Sequence, residues 1–188
     1  MKMNTINVID IEATCWEGKD DIPFGSKSEI IEIGICQINL QTLDRTKKRS
    51  ILIKPKFSTV SPFCEQLTTI TQKMLDQDGV SQQEAVDILL KEYNSLYLPW
   101  ASYGFYDQKM FKEMWDLYGI QYPLHNRHTN IKFNFAMMFG LTKEVGMDSA
   151  LEMLKIPLDG THHRGSDDAW NIAAIMIDMI KKFPKHRP

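Results

Sequence analysis

Residues 7–13 read NVIDIEA. The alternation places Ile9, Ile11 and Ala13 on one face of a strand and Val8, Asp10 and Glu12 on the other. Asp10 and Glu12 therefore project from the same face, about 6.6 Å apart at ~3.3 Å per residue. An unpaired charge on a buried central strand costs several kcal/mol. Either this is an edge strand with a solvated acidic face, or the two carboxylates share a cation. The motif by itself leaves both readings open.

Beyond this stretch, EIIEIGICQI (Glu29 to Ile38) and SILIKP (Ser50 to Pro55) read as two further strands. A Gly- and charge-rich loop, Trp16 to Ser28, joins the first strand to the second. Helical spacing dominates the remainder of the chain. Ser81 and Glu84 form a capping box ahead of Ala85, Leu89, Tyr93 and Leu96. A short strand, WASYG, precedes a helix opening at Asp107 that carries Met110, Phe111, Met114, Trp115 and Tyr118 and ends at Gly119. Further helices are expected near residues 132–139, 147–155 and 167–182. Strands first, then helices interleaved with strands, predict an α/β sandwich on a mixed sheet.

The chain has 188 residues, 43% hydrophobic and 24% charged, which suits one soluble domain spanning residues 1–188. No repeat or linker composition divides it, and the basic stretch at 183–188 reads as a solvated tail. No apolar run approaches the ~18 residues of a membrane span, and no leader h-region follows Lys2. The expectation is a cytoplasmic protein, complete from its first residue and without membrane association. Cys15, Cys36 and Cys64 form no C-x-x-C pair and read as reduced thiols. A net charge of −2 disfavours a generic nucleic-acid-binding protein. It leaves room for an enzyme that meets phosphate through bound cations.

Three more residues join the first pair. Asp107 follows WASYG directly, where helix capping is the plain reading. The ends of parallel strands are also where open α/β sheets gather ligands. In HHRGSDDAWNIA (residues 162–173), Asp168 lines up with Ile172, Ile175 and Met179 and so heads a core-facing stripe. Asp167 lines up with Asn171, Ala174 and Asp178 on a more polar face. A carboxylate aimed inward with no lysine or arginine on its face calls for a metal ion. His163 precedes that helix closely enough to reach the same place, with His162 as its rival.

Together these residues resemble the DEDDh branch of the DnaQ-like exonucleases, and within it the Eri1 and KapD-like members. The D-x-E motif followed by A-T-C is here Asp10 to Cys15; the second motif is Tyr106-Asp107; the third, H-x-x-x-x-D, is His163 to Asp168. The segment FCEQLTTIT (Phe63 to Thr71) and the stretch from Gly140 to Gly160 match as well. The resemblance covers roughly residues 5–180. It implies a ribonuclease H-like fold, a five-stranded mixed sheet flanked by helices. Some Eri1 relatives carry an extra N-terminal nucleic-acid-binding module; with Asp10 almost at the start, none is expected here.

The implied activity is 3′-to-5′ hydrolysis of single-stranded RNA or DNA, releasing nucleoside 5′-monophosphates with two magnesium or manganese ions and no organic cofactor. The resemblance makes Asp10 the bridging ligand, puts Glu12 and Asp168 on the first ion and Asp107 on the second, and makes His163 the general base. Thr14, Tyr106 and, more weakly, Phe63 would border the terminal nucleotide. Two rival classes remain: a non-catalytic binding module on an exonuclease scaffold, and a metal-dependent phosphatase for small phosphoesters. The complete set of five residues argues against the first.

Overall fold

The structure, a computed structural model, describes residues 4–182. NVIDIEA falls within β1 (Thr5–Ala13), which pairs antiparallel with β2 (Ile30–Asn39), and β2 pairs antiparallel with β3 (Arg45–Leu52). On its other side β1 runs parallel to β4 (Trp100–Ser102), and β4 parallel to β5 (His128–Asn130). The order is β3-β2-β1-β4-β5. The strand carrying Asp10 and Glu12 is thus the middle of a five-stranded mixed sheet, and the edge-strand reading falls.

Seven α-helices flank the sheet among the described residues: α1 (Pro62–Thr68), α2 (Gln72–Asp78), α3 (Gln82–Tyr93), α4 (Tyr106–Tyr118), α5 (Ile131–Met138), α6 (Met147–Leu154) and α7 (Gly165–Lys182). The alternation in β1 sorts two cores. Ile9 and Ile11, with Ile33 and Ile35 of β2, pack under Val86 and Leu89 of α3 and Met110, Phe111 and Trp115 of α4. Val8, Cys36 and Ile38 pack under Phe135 of α5, Leu151 of α6 and Ile172 and Ile175 of α7. Asp10 and Glu12 share Val8's side of the strand, so they lie on the face that α7 covers. No helix among the described residues is long and apolar enough to cross a membrane.

Several boundaries differ from expectation. β3 begins at Arg45, because RTKKR forms the outer strand, where charge keeps an exposed edge from pairing with another chain. Ile53 lies beyond it, in an isolated bridge to Val80. α3 ends at Tyr93 with Asn94 in the left-handed region, leaving Leu96 outside. α7 starts two residues earlier than predicted. Helices α1 and α2 and strand β5 are additions. The basic tail at 183–188 lies outside the described residues.

How α7 seats on the sheet positions the site. A Cβ on Gly34 of β2 would come 1.7 Å from the carbonyl carbon of Gly165, and one on Gly165 would come 3.1 Å from the Asp10 carbonyl oxygen. Two glycines without side chains therefore let the first turn of α7 rest directly on β2 and β1.

Candidate active site

Asp168 sits in the first turn of α7, 4% exposed, on the buried face with Ile172, Ile175 and Met179. Glu12 is 9% exposed and Asp10 is half-buried. One carboxylate oxygen from each of Asp10, Glu12 and Asp168 lies within 4.8 Å of the others. Asp167 points elsewhere: it pairs with Lys48 Nζ at 2.6 Å and accepts from the Thr161 amide at 2.8 Å. The helix phase read from the apolar stripe separates the two neighbours as the structure does.

Asp107 does not cap α4. Phe105 occupies the N-cap position, and Asp107, 4% exposed, turns its Oδ1 to accept from the Ile11 amide at 3.1 Å. β4 pairs with β1 only at Asn7 and Val8, so the Ile11 amide has no strand partner on that side. A buried amide needs an acceptor, and Asp107 supplies it. That bond fixes the start of α4 against β1 beside Asp10. Asp107 stands outside the three-oxygen group, yet it is the charged neighbour that bears most on Asp10.

The electrostatics show what this arrangement costs. Burial, then the neighbouring Asp107 and Asp168, holds the Asp10 carboxyl well above the usual carboxylate range. Burial, then Asp168 and Glu32, pushes Glu12 up to about 9, with Arg164 pulling back. Burial also raises Asp107 to about 6 and lifts Asp168, against which His162 works. Two full charges within 4.8 Å of each other repel by at least about 3.5 kcal/mol at an effective dielectric of ~20. Such a group resists ionising together unless a cation joins it. The donors are all hard oxygens, which fits magnesium or manganese better than zinc.

The two histidines divide their tasks. His162 Nδ1 rests 3.1 Å from both Asp168 oxygens. His163 adopts φ 62°, and its backbone amide donates to Asp168 Oδ2 at 2.9 Å. Its ring stacks on His162, and the residue lines a cavity of about 650 Å³ together with Glu17, Pro62, Phe63, Gln66 and Leu67. Burial, followed by the adjacent His162, holds the His163 imidazole below its ordinary value. It is therefore neutral at neutral pH and can accept a proton. Of the two rings, His163 is the one that lines this cavity.

The candidate nucleotide contacts fare unequally. Phe63, in α1, is 38% exposed in that cavity wall, and Tyr106 is 56% exposed at the start of α4. Thr14 is fully buried: its hydroxyl lies 2.9 Å from Ser58 Oγ and accepts from the Glu29 amide at 2.9 Å. The Thr14 side chain is thus satisfied inside the protein.

One residue that carries the site had no role assigned from sequence. Glu32, fully buried and directly across from Glu12 in the β1–β2 register, accepts from the Gly165 amide at 3.0 Å and from Arg164 Nε at 3.2 Å. It clamps the turn between His163 and Asp168 to the sheet. The signal was present, since Glu32 interrupts the apolar run IIEIGI. Its partner Arg164 follows His163 directly.

Comparison with known proteins agrees with this geometry. The family model described as Exonuclease matches residues 7–176. Over 185 residues the chain is 30% identical to 3′-5′ exoribonuclease 1 of Homo sapiens, covering 94% of this chain and 52% of that protein. It is 29% identical to the probable 3′-5′ exonuclease KapD of Bacillus subtilis, covering 90% of this chain and 81% of that one. The chain thus spans about half the length of the mammalian exoribonuclease it matches. Among solved structures, the nuclease domain of 3′hExo, a DEDDh family member bound to rAMP, superposes with a TM-score of 0.81 at 29% identity, covering 98% of this chain and 96% of that one. The five-stranded mixed sheet with flanking helices is the ribonuclease H-like fold of such neighbours.

Proposed function

The chain belongs to the exonuclease family, and we propose that it is a divalent-metal-dependent 3′-to-5′ exonuclease acting on single-stranded ends, with residues 1–188 forming one exonuclease domain. The observation that carries this reading is the convergence of Asp10, Glu12 and Asp168 within 4.8 Å, beside a histidine that lines a cavity. Asp10, Glu12 and Asp168 would hold one ion, and Asp10 with Asp107 a second. When bound, magnesium or manganese supplies the positive charge and Lewis acidity that hydrolysis of a phosphodiester requires.

The chain's own residues do the rest. His163, neutral and lining the cavity, takes a proton from the attacking water. The water oxygen bonds to phosphorus as the P–O3′ bond breaks, the O3′ of the shortened strand takes up a proton, and a nucleoside 5′-monophosphate leaves. The His163 amide bond to Asp168 and the Glu32 clamp keep base and carboxylate in register. Phe63 and Tyr106 offer apolar faces on which terminal bases can stack, each contact contributing roughly 1–3 kcal/mol with little sequence preference. Thr14 is proposed to border the same terminal nucleotide, its hydroxyl being held by Ser58 and the Glu29 amide.

RNA ends are the proposed substrate, since the mammalian relatives are named exoribonucleases and a solved relative recognises a histone mRNA stem-loop through its 3′ end. Matched RNA and DNA single strands with free or blocked 3′ ends, incubated with magnesium or manganese, test the proposal. Stepwise shortening from free 3′ ends supports it, with RNA the faster substrate. Binding without cleavage identifies a non-catalytic module, and hydrolysis of small phosphoesters alone identifies a phosphatase.

A further inference from the structure

We propose that His162, His163 and Asp168 form a second, inhibitory metal site that prefers zinc-like transition-metal ions over magnesium. One ligand atom from each of the three lies within 4.8 Å of the others. The imidazole rings are stacked, with centroids 4.0 Å apart and planes 20° apart, and His162 Nδ1 already lies 3.1 Å from both Asp168 oxygens. Consecutive side chains on an extended strand point to opposite faces. Here the left-handed backbone of His163, φ 62°, turns both rings to the same side.

The donor chemistry sets this group apart from the carboxylate cluster. Two imidazole nitrogens and one carboxylate oxygen are a set that zinc takes with a fourth position open. Affinity for nitrogen donors rises through the first transition row, whereas magnesium prefers oxygen. At metal–ligand distances of ~2.0–2.1 Å, tetrahedral ligands stand about 3.3 Å apart. The side chains must therefore close by up to about 1.5 Å, and the rings must rotate out of their stack so that both in-plane nitrogen lone pairs meet the ion, movements that two partly exposed rings can make.

Occupancy has two consequences. It takes Asp168 from the carboxylate cluster, and it ties up the His163 nitrogen that would accept the proton. Zinc should then inhibit even when magnesium is abundant, and His162, which contacts Asp168 but is proposed neither as a magnesium ligand nor as the base, should control that sensitivity. Only the inhibitory half of the inference rests on the exonuclease reading; the binding half does not.

The test compares the full chain with its His162→Ala and His162→Gln variants, zinc being titrated by calorimetry in the presence of saturating magnesium. Removing one of three ligands should weaken zinc binding at least about tenfold, the lower end of what disturbing a metal's outer shell alone costs. The zinc concentration that halves strand shortening, each variant being referred to its own turnover in magnesium alone, should rise by the same factor. Equal zinc affinity and equal inhibition in parent and variants would overturn the proposal, because zinc would then be acting at the carboxylates or the thiols. Melting curves identify a variant that has lost its fold, and the other variant then carries the comparison. A parent chain that cleaves no strand in magnesium or manganese would defeat the exonuclease reading, while calorimetry would still decide the site.

Discussion

Raising the pH from 7 to 8 should destabilise the metal-free protein, and a divalent cation should suppress that loss. Glu12 is pushed from its ordinary 4.5 up to about 9. A carboxyl raised in the folded state contributes stability that is complete below its unfolded value and is lost as pH rises through the folded one. Between pH 7 and 8 the unfolded chain has already released the Glu12 proton and the folded chain still holds it. The slope is then one proton, about 1.4 kcal/mol per pH unit. For a chain of this size that is a fall in melting temperature of roughly 3–6 °C. Asp10, also raised, acts in the same direction.

The window is chosen to exclude other groups. Asp107, at about 6, has largely titrated by pH 7. His128, lowered to about 4 by burial, is neutral in the fold, and an unfolded histidine near 6.5 is mostly neutral too. Cys15 and Cys36 are pushed up to about 12, but unfolded thiols begin to matter only near ~8.5. The assay is thermal melting by circular dichroism, in chelator and in millimolar manganese, for the parent and Glu12→Gln. Glutamine cannot ionise, so the variant should lose the slope assigned to Glu12. A metal-free melting temperature that is flat or rises from pH 7 to 8, or an unchanged slope in Glu12→Gln, would rule out Glu12 as the group that holds the proton.

Three further outcomes are expected. His163→Ala should lower turnover by roughly 10²–10⁴, the usual contribution of a general base, while metal-induced stabilisation persists; near-parental turnover would remove His163 from that role. Asp168→Asn should abolish strand shortening, whereas Asp167→Asn, losing a partly buried pairing with Lys48 and a helix-dipole contribution of about 0.3–1 kcal/mol, should keep most of it; a reversed result in shortening assays would overturn the helix phase. Glu32→Ala, which strands the buried Gly165 amide and leaves the partly exposed Arg164 without its partner, should cost about 1–3 kcal/mol in denaturant melts. Glu32→Gln, which can still accept from the Gly165 amide, should recover part of that loss; if both variants match the parent, Glu32 is not a clamp.

How much of the fold is legible in the sequence depends on the length over which a pattern repeats. β1, α3, α4 and α7 are long enough for periodicity to show, and phase alone separates Asp168 from Asp167. α1 and α2 have seven residues each, too few for a helical stripe to stand out, although Ser61 and Thr71 cap them and Pro62 opens the first. β5 has three residues and exists because β4 offers it a parallel edge, a tertiary fact with no local signature. The charged start of β3 reads as loop because strand propensity says nothing of edges. Asp107 illustrates the limit at the site: its position beside a helix start suggests capping, and only the spare amide of Ile11 shows otherwise. The five-stranded count comes through family resemblance, since residue pattern alone yields a mixed sheet, and the sheet order comes from the structure.

The same placement explains why the site is both costly and well held. Its residues come from β1, the start of α4 and the start of α7, so no local segment can form it. Each junction is fixed by a specific contact: Asp107 to the Ile11 amide, Glu32 to Gly165 and Arg164, and Gly34 against Gly165. These contacts hold four acidic side chains closer together than their charges favour. Loosening α7 by a larger residue at position 34 would relieve the repulsion and separate Asp168 from Asp10 and Glu12. A cation achieves the opposite, binding the carboxylates and the helix to the sheet at once. Metal binding and the seating of α7 are therefore one equilibrium, which is why melting temperature reports on the site as directly as turnover does.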